Sequence, residues 1–284
     1  MKKRIKSMTS AAILTACLGL SVWAGWELIS MCRDYGRVEE DLEKIRQLSS
    51  TLEENGAEKE EQPGWNSGQN GSHAGKAQPS EGESGQENEK DASRSLRLAR
   101  CLKSLEANSD TVGWISIEGT AVEYPVMQTP EEPDFYLNHG FDRQPSAGGM
   151  IFMDADCRPN GGNNSILYGH HMKNGTMFAQ LEQYRSEEFY EEHKEILFDT
   201  LEETSCYQVF SVFCLSASEA EELSKYLLAE TEDDFKAVVE LAERKNLHDT
   251  QKVPEWPERL LTLVTCEYTR KDGRLIILAG EKAG

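Results

Sequence analysis

The chain has 284 residues, 38% of them hydrophobic, and a formal net charge of −20 at pH 7. So large an acidic surplus excludes nucleic-acid binding, which needs clustered Lys and Arg against phosphates. It equally excludes attachment to anionic lipid through a basic face. The length suits one good-sized domain with appendages, and the low apolar share indicates that part of the chain is not packed.

In chain order, Lys2, Lys3, Arg4 and Lys6 form a basic tail (1–6) ahead of an uncharged run from Ser7 to Trp26. At about 1.5 Å per residue a helix of that length spans roughly the 30 Å of a bilayer core. With Trp23 and Trp26 as an interfacial belt, segment 7–31 reads as a signal anchor, N-terminus in the cytoplasm by the positive-inside rule. The expected localisation is therefore the cell membrane, single-pass, with the downstream domain outside. A cleaved signal peptide is the rival reading.

Segment 32–52 contains a helix candidate from Tyr35 to Leu52. Val38, Leu42, Ile45, Leu48 and Leu52 recur at three- and four-residue intervals. It reads as a short juxtamembrane stalk, with a coiled-coil dimer as the alternative. Segment 53–92 is built from Glu, Gly, Ser, Gln, Asn and Lys, and Trp65 is its one large apolar residue. Such a composition cannot offset the entropy of ordering, so it reads as a disordered tether whose ends lie ~35 Å apart.

From 93 to 284 the pattern is that of a folded domain. A leading helix carries Leu96, Ala99, Leu102 and Leu105 on one face. Eight strand candidates follow: Val112–Ile117, Ala121–Met127, Met150–Met153, Ser165–Tyr168, Ile196–Thr200, Tyr207–Leu215, Leu260–Cys266 and Arg274–Leu278. Turn residues such as Pro145-Ser-Ala-Gly-Gly149 separate them. Many short strands in succession favour a barrel or sandwich over a parallel sheet. A helical insertion runs from Ser218 to about Asn246. Its second part has Thr231 and Asp234 as an N-cap pair and Phe235, Val238, Val239 and Ala242 as an apolar stripe.

Seven cysteines are present with no CxxC. Cys17, Cys32, Cys101, Cys157, Cys206 and Cys214 read as small hydrophobes, with a Cys206–Cys214 disulfide left open. Cys266 differs. It ends the strand of Thr262-Leu-Val-Thr-Cys266, and Arg274 opens the next apolar run, Leu275-Ile-Ile-Leu278. Upstream, Tyr168-Gly169-His170 puts an imidazole after another strand. A thiol, an imidazole and a guanidinium at three strand ends are the parts of a cysteine acyl-transfer site. Taken singly, each is more commonly structural. The adjacent His170 and His171 lack the spacing that zinc ligands need, which argues against a metal hydrolase.

In their order and context these motifs resemble those of the sortases. The segments Asp134-Phe-Tyr-Leu-Asn-His-Gly-Phe141, Gly148-Gly-Met-Ile-Phe-Met-Asp154 and Met172-Lys-Asn-Gly-Thr-Met-Phe-Ala-Gln-Leu181, with the helical insertion, are similar to class B members. The resemblance covers roughly Ser93 to the C-terminus. It implies a mostly β fold: an eight-stranded sortase-like barrel with an N-terminal helix and a helical insertion before the cysteine strand. It implies a cysteine transpeptidase that needs no cofactor. The client would be a surface protein bearing an LPxTG- or NPxTG-like sorting signal. The acceptor would be an amine of cell-wall precursor or of a pilin. Cys266 would be the nucleophile, His170 the general acid and base, and Arg274 the oxyanion partner. Tyr168, Leu137, Thr265 and Glu267 are candidates for substrate contact. A catalytically silent binding module on the same barrel is the alternative.

Two departures from the class B pattern are visible: His171 where Asn is common, and Val264 where Ser is frequent. A geometric condition also follows. A two-residue hairpin at Asp272-Gly273 would set Cys266 opposite Ala279. The resemblance requires a wider loop, roughly Glu267 to Gly273, that brings Arg274 across from Cys266.

Overall fold

A computed structural model of the chain describes residues 36, 38, 40, 42–47, 84–250, 252–267 and 273–282. The basic tail and the expected anchor at 7–31 lie outside the described residues, as does the expected tether up to residue 83. Among the described residues no helix is long and apolar enough to cross a membrane. The longest, α1 (Ser84–Ala107), has the length at 24 residues. It also carries charges at Glu87, Glu89, Lys90, Asp91, Arg94, Arg97, Arg100, Lys103 and Glu106, which no bilayer core accepts without large cost. The single-pass membrane localisation expected from the sequence is corrected accordingly.

The strands are β1 (Thr111–Ser116), β2 (Glu123–Met127), β3 (Ile151–Met153), β4 (Asn164–Tyr168), β5 (Glu195–Thr200), β6 (Thr204–Leu215), β7 (Leu260–Glu267) and β8 (Gly273–Glu281). They close into a barrel in the order β1-β2-β3-β4-β7-β8-β6-β5. All eight lie where apolar runs between turn residues place them. Two neighbouring pairs are parallel, β2 with β3 and β4 with β7. A parallel pair cannot be joined by a hairpin. The chain leaving β4 therefore makes β5, β6 and the helical insertion before it returns as β7.

The insertion contains α3 (Ala217–Ser224) and α4 (Glu232–Lys245). The Asp234 amide donates to the Thr231 hydroxyl at 3.1 Å, the cap read from the sequence. Phe235, Val238, Val239 and Ala242 are buried, each contributing about 1.5–3 kcal/mol if fully buried and large. The Ser211 hydroxyl of β6 donates to the Ala242 carbonyl at 2.9 Å and locks α4 to the sheet. Ser216 and Glu219 complete a reciprocal capping box at the start of α3. A short helix, α2 (Glu187–Glu192), precedes β5.

α1 begins at Ser84, inside the stretch read as tether. Its buried face is also not the expected Leu stripe, for Leu102 is 49% exposed. Within α1 the buried residues are Cys101 and Ser104, and Arg97, one turn before Cys101, reaches the same side of the helix. Arg97 makes a two-pronged ion pair with Asp199 of β5, with Nε to Oδ2 at 2.8 Å. Polar anchoring replaces the apolar contact that the pattern suggested.

The described residues from 36 to 47 are helical, and Val38, Leu42 and Ile45 are buried in the same core as the barrel side chains. The stripe expected there is thus packed, against the domain itself. Lys44 approaches Asp142 at 3.7 Å, and Val38 covers Gly148. Leu48 and Leu52 lie outside the described residues.

Candidate active site

Strand pairing brings the three reactive side chains together. β4 runs parallel to β7 with Tyr168 level with Val264. Two residues further along each chain are His170 and Cys266. The backbones stay joined past the end of β4: the Gly169 amide donates to the Val264 carbonyl at 3.2 Å, and the Thr265 hydroxyl donates to the Gly169 carbonyl at 2.8 Å. β7 then pairs antiparallel with β8, and Cys266 is the direct partner of Arg274. The wide connection is the one observed, since Glu267 pairs with Gly273.

Gly169 is required by close packing. A Cβ there would sit 2.5 Å from Ile151 Cδ1 and 2.7 Å from Phe178 Cδ2. Phe178 presses on this glycine while its amide donates to the His170 carbonyl at 2.9 Å. The histidine backbone is thereby fixed from two sides, which leaves the ring to be set by its own contacts.

Cys266, His170 and Arg274 line one cleft of about 630 Å3. Leu137, Tyr168, Val264 and Thr265 line it too. Pro130, Pro133 and Phe152 add apolar wall, and Asp134, Asp154 and Asp156 add carboxylates. All three reactive residues are half-buried, so reagents reach them. The His170 Nε2–H donates to the Leu137 carbonyl at 2.7 Å. Arg274 Nη1 donates to the Gly273 carbonyl at 3.0 Å, leaving other donors of the guanidinium for a ligand.

The candidates for substrate contact fare differently. Leu137 is 36% exposed and forms part of the wall. Tyr168 is half-buried, and its hydroxyl donates to Asp154 Oδ2 at 3.0 Å. Burial and the neighbouring Asp154 carboxylate push the Tyr168 phenol well above its ordinary pKa, so it stays protonated. Thr265 is 2% exposed and its hydroxyl is spent on Gly169, so its side chain braces the cysteine strand against the histidine strand. The Glu267 side chain lies outside the described residues.

Sequence reasoning gave His171 no part in the site. It is half-buried, and its Nδ1–H donates to the Cys266 carbonyl at 3.1 Å. The two adjacent rings thus diverge, one onto the Leu137 carbonyl and one onto the Cys266 carbonyl. Among the described residues no group of three or more His, Cys, Asp or Glu is placed to hold a metal ion.

The other thiols are differently placed. Cys101 and Cys157 are buried and free, and burial pushes both pKa values up to about 12. Cys206 and Cys214 are not bridged to each other, so the disulfide left open above is not formed.

Comparison with known proteins agrees with this geometry. A family model described as the Sortase domain matches residues 115–282. Sortase B of Staphylococcus aureus is 36% identical over 182 residues, covering 63% of this chain and 73% of that protein. Sortase B of Listeria monocytogenes is 29% identical over 178 residues, covering 60% of this chain and 69% of its own. Among solved structures, sortase B of Clostridium perfringens superposes with a TM-score of 0.59 at 31% identity. It covers 64% of this chain and 99% of the other. A Staphylococcus aureus sortase B–substrate complex gives a TM-score of 0.58 at 29% identity, covering 70% of this chain and 99% of that one.

Proposed function

Since this chain belongs to the sortase family, we propose that it acts as a class B cysteine transpeptidase on an LPxTG- or NPxTG-like sorting signal, with Cys266, His170 and Arg274 as its catalytic residues. The observation that carries the reading is the convergence of these three side chains on one cleft. That a sortase B relative has been solved as a substrate complex supports a substrate-binding reading of the domain.

The chemistry follows from residue type. The Cys266 thiolate adds to the carbonyl carbon of the signal's Thr, and the carbonyl π pair moves onto oxygen. Arg274 faces the developing oxyanion with a charge that does not titrate. Collapse breaks the C–N bond, and the His170 cation gives its proton to the departing amine, which would otherwise be a poor leaving group. The product is a thioester. An incoming amine, from cell-wall precursor or a pilin, then adds to that carbonyl and loses its proton to neutral His170. The C–S bond breaks and the thiolate returns. Direct pairing of Cys266 with Arg274 supports the oxyanion role, because directly opposed residues keep their Cβ atoms about 4.5–5.5 Å apart.

The test is turnover of LPxTG and NPxTG peptides by the full chain with hydroxylamine or oligoglycine as acceptor. Acceptor-dependent product is expected from the native protein and none from Cys266→Ala. No turnover with either peptide class would remove the assignment.

A further inference from the structure

The contact between His170 and Leu137 decides which ring nitrogen does the chemistry. A backbone carbonyl carries lone pairs and no proton, so the 2.7 Å contact to Nε2 exists only while Nε2 bears hydrogen. In neutral His170 the lone pair is then on Nδ1, and the cation adds its proton there. We infer that the Leu137 carbonyl is a positioning group for this site. It holds His170 as an Nε2–H donor in both charge states, so that the proton exchanged with the leaving and incoming amines moves on and off Nδ1. The inference rests on the acid–base role of His170 proposed above.

The carbonyl can serve in this way because the backbone that carries it is clamped. Leu137 ends a 3₁₀ turn, Phe135–Leu137. Its amide donates to the Asp134 carbonyl at 3.1 Å, and the preceding carbonyl, of Tyr136, accepts from the Met150 amide at 2.9 Å. The Tyr136 ring is fully buried. Its hydroxyl donates to Asp110 Oδ2 at 2.7 Å and accepts from Asn108 Nδ2 at 2.8 Å. Beneath the turn lies Gly149, with φ of +55°. A Cβ on Gly149 would come to 2.7 Å from the Leu137 oxygen, and closer still to the Tyr136 oxygen. Any side chain there collides with the group that orients His170. Gly149 is therefore fixed both by its left-handed backbone and by the oxygen it supports.

Loss of the contact removes the acceptor that selects Nε2–H and frees the ring to take either tautomer.

The experiment is long-range 1H–15N correlation on the full chain with 15N-labelled histidine, the His170 signals assigned by His170→Gln. Native protein at high pH is expected to show His170 as the Nε2–H tautomer. Gly149→Ala is expected to give a tautomer mixture, and kcat reduced by at least about tenfold with KM little changed, a fraction of the 10²–10⁴ that acid–base catalysis supplies. An Nδ1–H tautomer in the native protein overturns the inference. So does a Gly149→Ala protein whose tautomer and kcat are native. If that variant fails to fold, the native tautomer alone decides. Undiminished turnover in His170→Ala would instead remove the acid–base reading and leave the tautomer assignment standing.

Discussion

Cys266 and Arg274 are direct partners across the β7–β8 ladder, the last such pair but one before the connecting loop. The ladder therefore hands a guanidinium to the thiol without any help from loop residues. Truncating Arg274 to Ala should lower kcat by about 10²–10³-fold, the usual cost of one oxyanion donor. Arg274→Lys should recover little, because a point charge does not reproduce the planar fork. Thermal melts of both variants should stay close to native, since Arg274 is half-buried and its one described hydrogen bond is to the adjacent Gly273 carbonyl.

His171 holds the carbonyl of Cys266, the proposed nucleophile. Replacing it with Ala removes that donor, and a stability loss of about 1 kcal/mol is expected, the net worth of a typical hydrogen bond. The drop in kcat/KM should exceed what so small a destabilisation explains, because the Cys266 backbone loses its tether. His171→Asn keeps an N–H donor and should restore both. Denaturant melts and steady-state kinetics on the two variants check this.

Thiol labelling should be selective. Burial pushes Cys101 and Cys157 up to about 12. Those groups stay protonated, and hence weakly nucleophilic, at any pH well below that value. Cys266 lies open to the cleft. Brief iodoacetamide treatment near neutral pH should modify Cys266 ahead of Cys101 and Cys157 and abolish turnover in proportion. Peptide mapping by mass spectrometry reads the sites directly.

Asp199 is 1% exposed and depends on Arg97 of α1 for its ion pair. Burial raises its carboxyl above the ordinary range, against the opposing pull of Arg97. Arg97→Ala leaves that carboxylate without its principal partner, and a loss of about 3–5 kcal/mol at neutral pH is expected. The sign of the pH dependence follows from the raised pKa. As pH falls, the folded state takes up the Asp199 proton before the unfolded chain does, so folding gains stability relative to neutral pH. The deficit of Arg97→Ala should therefore shrink as pH drops toward the ordinary carboxylate range. Urea melts at neutral and mildly acidic pH provide the measurement.

Much of this architecture was legible in the residues because it depends on patterns that the chain writes locally. Apolar runs bounded by Gly, Pro and Asn located all eight strands. Thr231 with Asp234 located the cap of α4, and its apolar stripe is the face that is buried. The Cys266, Arg274 and His170 motifs converge because a parallel β4–β7 pair and an antiparallel β7–β8 pair align three strand ends. What escaped the sequence depends on partners that no local pattern names. The start of α1 at Ser84 was hidden by a composition of Glu, Gln and Gly that reads as tether. The inward face of α1 was hidden because Arg97 finds its match in Asp199, about a hundred residues away. The stripe of Val38, Leu42 and Ile45 was visible, but not the surface that covers it. The bond from the Thr265 hydroxyl to the Gly169 carbonyl was likewise not readable from the strand pattern. The Leu137 carbonyl was beyond reach altogether, since any residue type brings the same oxygen.

The measurement closest to the central claim is mass spectrometry of the full chain quenched in acid during turnover of a sorting peptide. A covalent adduct equal in mass to the peptide acylated through its Thr, mapped to Cys266 and released by hydroxylamine, is the predicted result. An acyl group found on another residue, or unchanged product formation by Cys266→Ala, would contradict it.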